Sequence, residues 1–426
     1  MSKGFSTAFS LAAAVAEHSR RRRTKRKINR LNEKNRNIQL LGCVTADQII
    51  PCSRQTGNIS ISGGSKTVRN ELIIQNCRQS LTAGIPVIII HEGNYLLEQT
   101  LQSTFFGGRY LRIINASNPF YDPVFWLNDN TEIGHFISEA SLKNHKVNSE
   151  GTLYVQALAT LLSKLKIPPY LRMFAHCPFN SINERILKLE QAGVLNADEA
   201  NSLRKDMAID PKAQSEVAYY FQQLELESPI LPWKSNLSRC TSISECILKN
   251  GIMAIDIGSC GRLNQLALIS TEIERCTNSG KSFRVIIDAA SLSGNEKLLR
   301  TLKNYSNTIS WTISSPDMYC MLGNVQGELA TWLAQSHRAV LFSHGIKTCE
   351  CLSAELGEYD HIDIADVYTG SNAVGQIGFH HGVKNGFTTS ISRKRVIRPE
   401  EIECLGEDSF IMLDNYTATI SRGTLV

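Results

Sequence analysis

Short apolar runs alternate with longer amphipathic runs along most of the chain, and turn residues separate them. Residues 58–62 predict a short strand, Val68 to Leu81 has helical periodicity, and Ile85 to Ile90 predicts a buried strand. The alternation returns later, with predicted strands at 251–257, 283–288, 308–314, 339–343, 409–413 and 416–421. Parallel sheets with helices on both faces are built from such units. The pattern therefore predicts an α/β fold.

The alternation is interrupted in the middle of the chain. Between Pro168 and Pro232 three short helices are predicted, at 182–192, 197–208 and 211–224, and no β-rich run occurs. We interpret this stretch as an all-helical insertion in one domain. The predicted division is a basic N-terminal tail (1–40), the first part of the α/β domain (41–167), the insertion (168–232) and the second part (233–426).

Length and composition exclude several classes of protein. The 426 residues, 42% hydrophobic and 20% charged, are typical of a globular protein and not of a disordered chain, a collagen or a coiled-coil rod. The apolar stretch from Phe5 to Ala16 is far shorter than the ~20 residues that span a bilayer. The twelve cysteines are scattered without a CxxC pair, which is typical of a cytosolic protein. We expect a cytoplasmic location, and the alternative is a peripheral location at the inner face of the cell membrane, reached through the basic tail.

The positive charge is concentrated at the N-terminus. Residues 1–36 carry eleven Lys/Arg against two Asp/Glu, a net charge of +9, whereas the rest of the chain carries −4. The run from Arg20 to Lys27 is dense enough to bind the phosphates of DNA or the anionic surface of a membrane. A solvated arm that only aids solubility is the simpler alternative.

A glycine-rich turn follows the first predicted strand of the sheet. Gly63, Gly64, Ser65, Lys66 and Thr67 stand where a P-loop would bind ATP with Mg²⁺: loop N–H groups and Lys66 on the phosphates, and the Thr67 hydroxyl on the metal. In the P-loop pattern GxxxxGK[ST], however, both required glycines are replaced by serine, at positions 60 and 65. Either the loop is reshaped around the two glycines, or it is an ordinary turn with an incidental lysine.

The strand from Val285 to Asp288 has the pattern that would provide the second half of such a site. An Asp at the end of an apolar strand can hold Mg²⁺ and its water, but Ala289 stands where a Glu would activate the attacking water. Asp288 could equally cap the next helix. We predict that this strand lies next to the strand ending near Ser62, so that Lys66 and Asp288 face one cleft. Glu92 and Asp256 are the carboxylates that could replace the missing Glu.

Several segments together resemble a known family. They are the glycine turn, residues 86–93, the stretch Ile114 to Pro123, and the closing stretch Arg393 to Ile402. Together they resemble the conjugative DNA-transfer coupling ATPases of type IV secretion systems, in the FtsK–HerA superfamily of RecA-like motors. The resemblance implies a RecA-like P-loop sheet with helices on both faces and an inserted all-helical domain. It also implies a hexamer and, as partners, DNA and type IV secretion or relaxosome-like proteins.

The departures from this family concern catalysis. The P-loop glycines and the catalytic Glu are replaced, and the Gln expected of a γ-phosphate sensor is absent from Trp311 to Asp317. Losing such a group typically costs ~10²–10⁴ in rate. We therefore expect a nucleotide-binding protein with weakened or lost ATP hydrolysis. If the protein does hydrolyse ATP, an Arg from a neighbouring subunit would be needed to stabilise the transition state. The alternative is a non-catalytic adaptor that binds DNA or a secreted substrate.

Overall fold

A computed structural model describes residues 3–50, 57–107, 110–142, 146–176, 181–258, 263–291, 296–305, 308–375 and 378–426. The chain divides into two compact units, a larger one of residues 45–339 and a smaller one of residues 1–44 and 340–425. The strands are β1 (Ile38–Val44), β2 (Ile59–Ser62), β3 (Val87–His91), β4 (Leu111–Ile114), β5 (Ile252–Asp256), β6 (Arg284–Asp288), β7 (Ser310–Ser315), β8 (Arg338–Leu341), β9 (Glu358–Gly375), β10 (Gly378–Arg395), β11 (Ser409–Asp414) and β12 (Thr419–Leu425).

The helices are α1 (Lys3–Arg36), α2 (Ala46–Ile49), α3 (Lys66–Thr82), α4 (Tyr95–Phe105), α5 (Asn130–Ala140), α6 (Ser149–Lys164), α7 (Leu171–Ala175), α8 (Ile182–Gln191), α9 (Ala197–Met207), α10 (Pro211–Glu227), α11 (Ile243–Leu248), α12 (Leu263–Asn278), α13 (Glu296–Asn304), α14 (Met318–Met321), α15 (Gln326–Gln335), α16 (Ile346–Glu355) and α17 (Pro399–Glu403).

The larger unit is built on a parallel sheet of six strands in the order β2-β7-β6-β3-β5-β4. Strands β3, β5 and β6 are buried along their whole length. Their nearly continuous apolar sequences are those of strands covered on both faces, which is the normal environment of a parallel sheet. The predicted α/β fold is confirmed.

The predicted neighbour of β2 is wrong. The sequence-based expectation paired β2 with β6, but β7 lies between them, and its register joins Ile61 to Ser314 and Ser314 to Asp288. Parallel strands need crossover connections, so chain order does not determine which strands become neighbours. The prediction that the carboxyl ends of β2 and β6 lie at one edge is confirmed, because all six strands run in the same direction.

Helix α3 packs on this sheet and sets the position of the glycine turn. Its buried side chains, Ile73 and Leu81 among them, form one core cluster with Ile89 of β3 and Ile286 of β6. Leu97 of α4 joins the same cluster. Because these apolar contacts fix the helix axis, its first turn lies at the carboxyl edge of the sheet.

Helices fill the chain between β4 and β5. Within the described residues of that stretch no strand occurs, and α6 packs against α5, α9 and α10. Helices α7 to α10 lie inside the predicted insertion, while α5 and α6 precede it. The insertion's exact boundaries stay a prediction.

The smaller unit combines residues 1–44 with residues 340–425. Strand β12 pairs in parallel with β1 and antiparallel with β11, while β9 and β10 form a long antiparallel hairpin. Residues 3–36 of the predicted tail form the 34-residue helix α1, and its end is fixed: the Asn32 side chain exchanges two hydrogen bonds with the backbone of Ile362 in β9. In the part of the chain that the structure describes, no helix has the length and apolar character needed to cross a bilayer.

Candidate functional site

The turn after β2 places both of its glycines in the left-handed region. Gly63 has φ +81° and Gly64 has φ +73°, a conformation that glycine adopts at little cost. Ser65 follows in an extended conformation (φ −68°, ψ 157°) and its hydroxyl caps α3 by accepting the N–H of Val68 at 3.3 Å. A serine before the lysine is therefore unstrained here, and the loop is reshaped around the two glycines.

Lys66 and Thr67 form the exposed first turn of α3. The Lys66 ammonium lies 3.5 Å from the carbonyl oxygen of Gly93, in the turn after β3. The first backbone bond of the helix runs from the Arg69 N–H to the Ser65 carbonyl. A helix N-terminus with a lysine beside it provides N–H groups and positive charge, the combination that suits an anion.

A groove of about 330 Å³ lies beside this first turn, between α3 and α4. Thr67, Asn70, Glu71 and Arg78 line it from α3, and Thr100 lines it from α4. The groove therefore offers hydroxyl, amide and charged groups next to the glycine turn.

Asp288 ends β6 in a buried site and is held by neutral donors. The Asn94 amide donates to Oδ2 at 2.6 Å, and the Ser314 hydroxyl donates to Oδ1 at 2.8 Å. The residue is 5% exposed. Its carboxylate thus joins the ends of β6 and β7 to the turn after β3, and among the residues that the structure describes it caps no helix.

Arg69, on the second turn of α3, supplies the charge that faces Asp288. Its side chain is buried, its Nη1 donates to the Gly64 carbonyl at 2.8 Å, and its Nε lies 3.6 Å from Asp288 Oδ1. One guanidinium thus links the glycine turn to the end of β6.

A second polar group lies at the ends of β3 and β5. The Gly93 and Gly258 N–H groups donate to Asp256 Oδ1 at 2.9 and 2.8 Å. His91 is fully buried, and its Nε2 lies 3.4 Å from Glu98 Oε1. Burial lowers the pKa of His91, against the raising influence of Asp256 and Asp288. The histidine is therefore neutral near pH 7.

Glu92 approaches the position where the catalytic Glu is missing. Its carboxylate accepts the N–H of Ala290 at 2.8 Å, one residue after Ala289. Burial raises the pKa of Glu92, opposed by hydrogen bonds from the Ala290 and Ser291 backbone. Of the two proposed substitutes, Glu92 lies beside the end of β6, whereas Asp256 is occupied with two backbone N–H groups.

The structure brings the sequence-predicted residues together at one edge but changes their surroundings. Sequence reasoning did not identify three residues that organise this edge, Arg69, Asn94 and Ser314. Arg69 is the fourth residue of the helix after the glycine turn and Asn94 is the N-cap of α4, and neither position has a sequence motif that points to Asp288. The available signal was the position of Ser314 near a strand end, where parallel sheets collect polar side chains.

Comparison with known proteins identifies the fold. No family model and no curated protein matches the chain. The plasmid coupling protein TrwB, solved with the non-hydrolysable GTP analogue GDPNP, matches with a TM-score of 0.54 at 16% identity, over 94% of this chain and 92% of that one. TrwBΔN70 in an unbound monoclinic form matches with a TM-score of 0.51 at 15% identity, over 94% and 91%. TrwB with the ATP analogue ADPNP matches with a TM-score of 0.50 at 16% identity, over 94% of this chain and 91% of that one. This chain therefore has the RecA-like fold of a conjugative coupling protein, as the resemblance implied.

Proposed function

We propose that this chain is a coupling-protein-like nucleotide-binding protein for conjugative DNA transfer or type IV secretion, with weak or absent ATP hydrolysis. The observation that carries the proposal is Lys66 on the first turn of α3, directly after the left-handed Gly63 and Gly64, at the edge where parallel strands end. Ligands of α/β sheets bind at that edge. The solved TrwB complexes with GDPNP and ADPNP support the choice of a nucleoside triphosphate.

Weak turnover follows from the groups around β6. The methyl group of Ala289 offers no base, and the Glu92 carboxylate already accepts the Ala290 N–H. A general base must lie within hydrogen-bond reach of the water that it deprotonates, and the Ala290 N–H holds the Glu92 carboxylate against the chain that follows β6. We therefore expect bound ATP to persist.

Titration of the full chain with a fluorescent ATP analogue and a fluorescent GTP analogue tests nucleotide binding. The proposal predicts saturable binding that unlabelled ATP competes away and that Lys66→Ala abolishes. Lys212→Ala, which removes an exposed lysine at the start of α10, is the matched control and should bind like the unchanged chain. Absence of binding by folded protein would refute the proposal.

We also propose that α1 binds DNA through its phosphates. The cluster from Arg20 to Lys27 lies on one helix, and Arg22, Arg23 and Arg26 are exposed on it. Neutralising phosphates releases counterions, so the affinity should fall steeply with salt and depend little on base sequence.

Neutralising those three arginines tests the DNA contact without removing the helix. The triple change of Arg22, Arg23 and Arg26 to Gln should lower the slope of log K against log salt by about two to three units. The same change at Lys188, Lys205 and Lys212, exposed lysines of the helical region, is the control and should leave the slope unchanged. If the arginine variant kept its slope while its binding to anionic vesicles fell, the membrane surface would replace DNA as the partner of α1.

A non-catalytic adaptor is the second candidate function. It is favoured because protein groups already donate hydrogen bonds to the two carboxylates at the ends of β5 and β6. Asp288 accepts from Asn94 and Ser314, and Asp256 accepts from two backbone N–H groups. An adaptor would bind DNA or a secreted protein but no nucleotide. The hexamer and the secretion or relaxosome-like partners that the resemblance implies belong to the first candidate, and sedimentation with and without nucleotide tests the hexamer.

A further inference from the structure

Magnesium is the ion that the fold family implies for Asp288, and the donor set around this carboxylate does not suit it. Mg²⁺ requires oxygen ligands at ~2.0–2.1 Å in an octahedral arrangement and usually keeps several waters. Asp288 is 5% exposed, and each of its oxygens accepts a hydrogen bond from a protein donor. Among the residues that the structure describes, no three His, Cys, Asp or Glu side chains are grouped as metal ligands.

A permanent cation already lies next to this carboxylate. The Arg69 Nε is 3.6 Å from Asp288 Oδ1, and both side chains are buried. A guanidinium stays protonated at every accessible pH, and a like charge brought within a few ångströms in a poorly solvated site is repelled. A divalent ion at Asp288 would have to displace Arg69, which would also release the Gly64 carbonyl that Arg69 Nη1 binds.

We infer that Arg69 takes the place of the divalent cation, so that phosphate binding at the glycine turn is independent of Mg²⁺. This inference rests on the proposed nucleotide function. The positive charge of the site is then part of the chain: Arg69 neutralises Asp288 and braces Gly64, while the exposed Lys66 meets the phosphates. Arg69 is a positioning residue, since its guanidinium contacts the turn and Asp288.

Nucleotide titration with either EDTA or MgCl₂ present is the first test, on the unchanged chain and on Arg69→Met. The unchanged chain should bind a fluorescent ATP analogue with the same affinity, within about threefold, in both conditions. The reason is that its cation, the Arg69 guanidinium, is part of the protein chain and is not removed by EDTA. In Arg69→Met the affinity in EDTA should fall by about tenfold or more, and MgCl₂ should restore part of it. Lys212→Met, which removes an exposed charge from α10, away from the glycine turn and its groove, should behave like the unchanged chain.

Thermal unfolding in MgCl₂ without nucleotide gives a second reading that does not require nucleotide binding. MgCl₂ should leave the Tm of the unchanged chain at its value in KCl of matched ionic strength, and it should raise the Tm of Arg69→Met, whose Asp288 has lost its cation. A Tm of the unchanged chain that rises with MgCl₂, or nucleotide binding that requires MgCl₂, would overturn the inference. Absence of nucleotide binding in both conditions would refute the proposed function instead, and the Tm comparison would still decide whether Arg69 replaces the ion.

Discussion

The Asn94 side-chain amide donates to Asp288 Oδ2 at 2.6 Å and so joins the turn after β3 to the end of β6. The same amide donates to Asn70 Oδ1 of α3 at 2.8 Å, and its oxygen caps α4 by accepting the Leu97 N–H at 3.2 Å. One side chain thus connects three elements at the carboxyl edge of the sheet. The shape of the candidate site depends on it.

Asn94→Ala should lower the free energy of unfolding by about 2–3 kcal/mol, because it removes an N-cap and leaves the buried Asp288 short of a donor. Asn94→Asp keeps the cap but places a second carboxylate beside Asp288, so it should also destabilise the protein at neutral pH. Urea unfolding measures both changes. Asn183→Ala, an exposed position on α8, is the control. A loss below about 0.5 kcal/mol for Asn94→Ala would show that the amide does not organise the edge.

The buried His91 should make the protein less stable in mild acid. Burial lowers its pKa from 6.5, so between that value and the lower folded pKa the unfolded chain binds more protons than the folded one. The contribution to stability is present above about pH 6.5 and is lost as the pH falls through the folded pKa. Burial raises the pKa of Glu98 from 4.5. Above about pH 4.5 this shift has the opposite effect on stability, because there the folded chain binds more protons at Glu98 than the unfolded one.

Urea unfolding from pH 7.5 to pH 5 measures this effect. His91→Asn should be less stable at pH 7.5, since it leaves a gap in a packed site, but it should lose less stability on acidification than the unchanged chain. His18→Asn, at an exposed position on α1, should keep the original pH profile. Equal acid losses in the unchanged chain and in His91→Asn would assign the pH dependence to other groups.

Restoring the missing carboxylate at position 289 should not restore hydrolysis. Ala289 is buried, its N–H donates to the Ser314 carbonyl at 3.1 Å, and Glu92 lies against the next residue. Ala289→Glu should therefore destabilise the fold by about 1–3 kcal/mol and raise ATP hydrolysis by less than about tenfold, against the ~10²–10⁴ that a working base supplies. Ala290→Glu, one residue further and exposed, controls for the added charge. A rise of a hundredfold or more in Ala289→Glu would mean that the rest of the catalytic machinery is intact.

The sequence predicted those parts of the structure that local patterns determine. Continuous apolar runs such as that of β3 indicate buried strands by themselves, and the glycines at 63 and 64 marked the turn that the structure confirms. The order of strands in the sheet is a long-range property, and for this reason the interposition of β7 between β2 and β6 was missed.

The hairpin of β9 and β10 was not predicted from the sequence, because its local pattern does not mark it as a pair of strands. Its strands contain charged and glycine residues that are unusual in a buried strand, and its pairing runs from Glu358 with Arg395 to Gly375 with Gly378. Residues 376–377 lie outside the described residues. Three arginines of the closing stretch are the candidates for the Arg that acts on a neighbouring subunit: Arg393 and Arg395, which lie in β10, and Arg398, which follows it. Two of them pair within the chain, Arg395 with Glu358 and Arg398 with Glu401. The role of Arg69 was not predictable, because it depends on where α3 packs.

Simultaneous measurement of bound ATP and released phosphate, with and without DNA, separates nucleotide binding by Lys66 from hydrolysis. The unchanged chain and Lys66→Ala are compared with Lys212→Ala as the control. We expect that the unchanged chain and Lys212→Ala bind ATP, that Lys66→Ala does not, and that none of the three releases phosphate above background even with DNA. DNA-stimulated hydrolysis by the unchanged chain that is lost in Lys66→Ala would contradict this expectation, as would ATP binding that Lys66→Ala leaves intact.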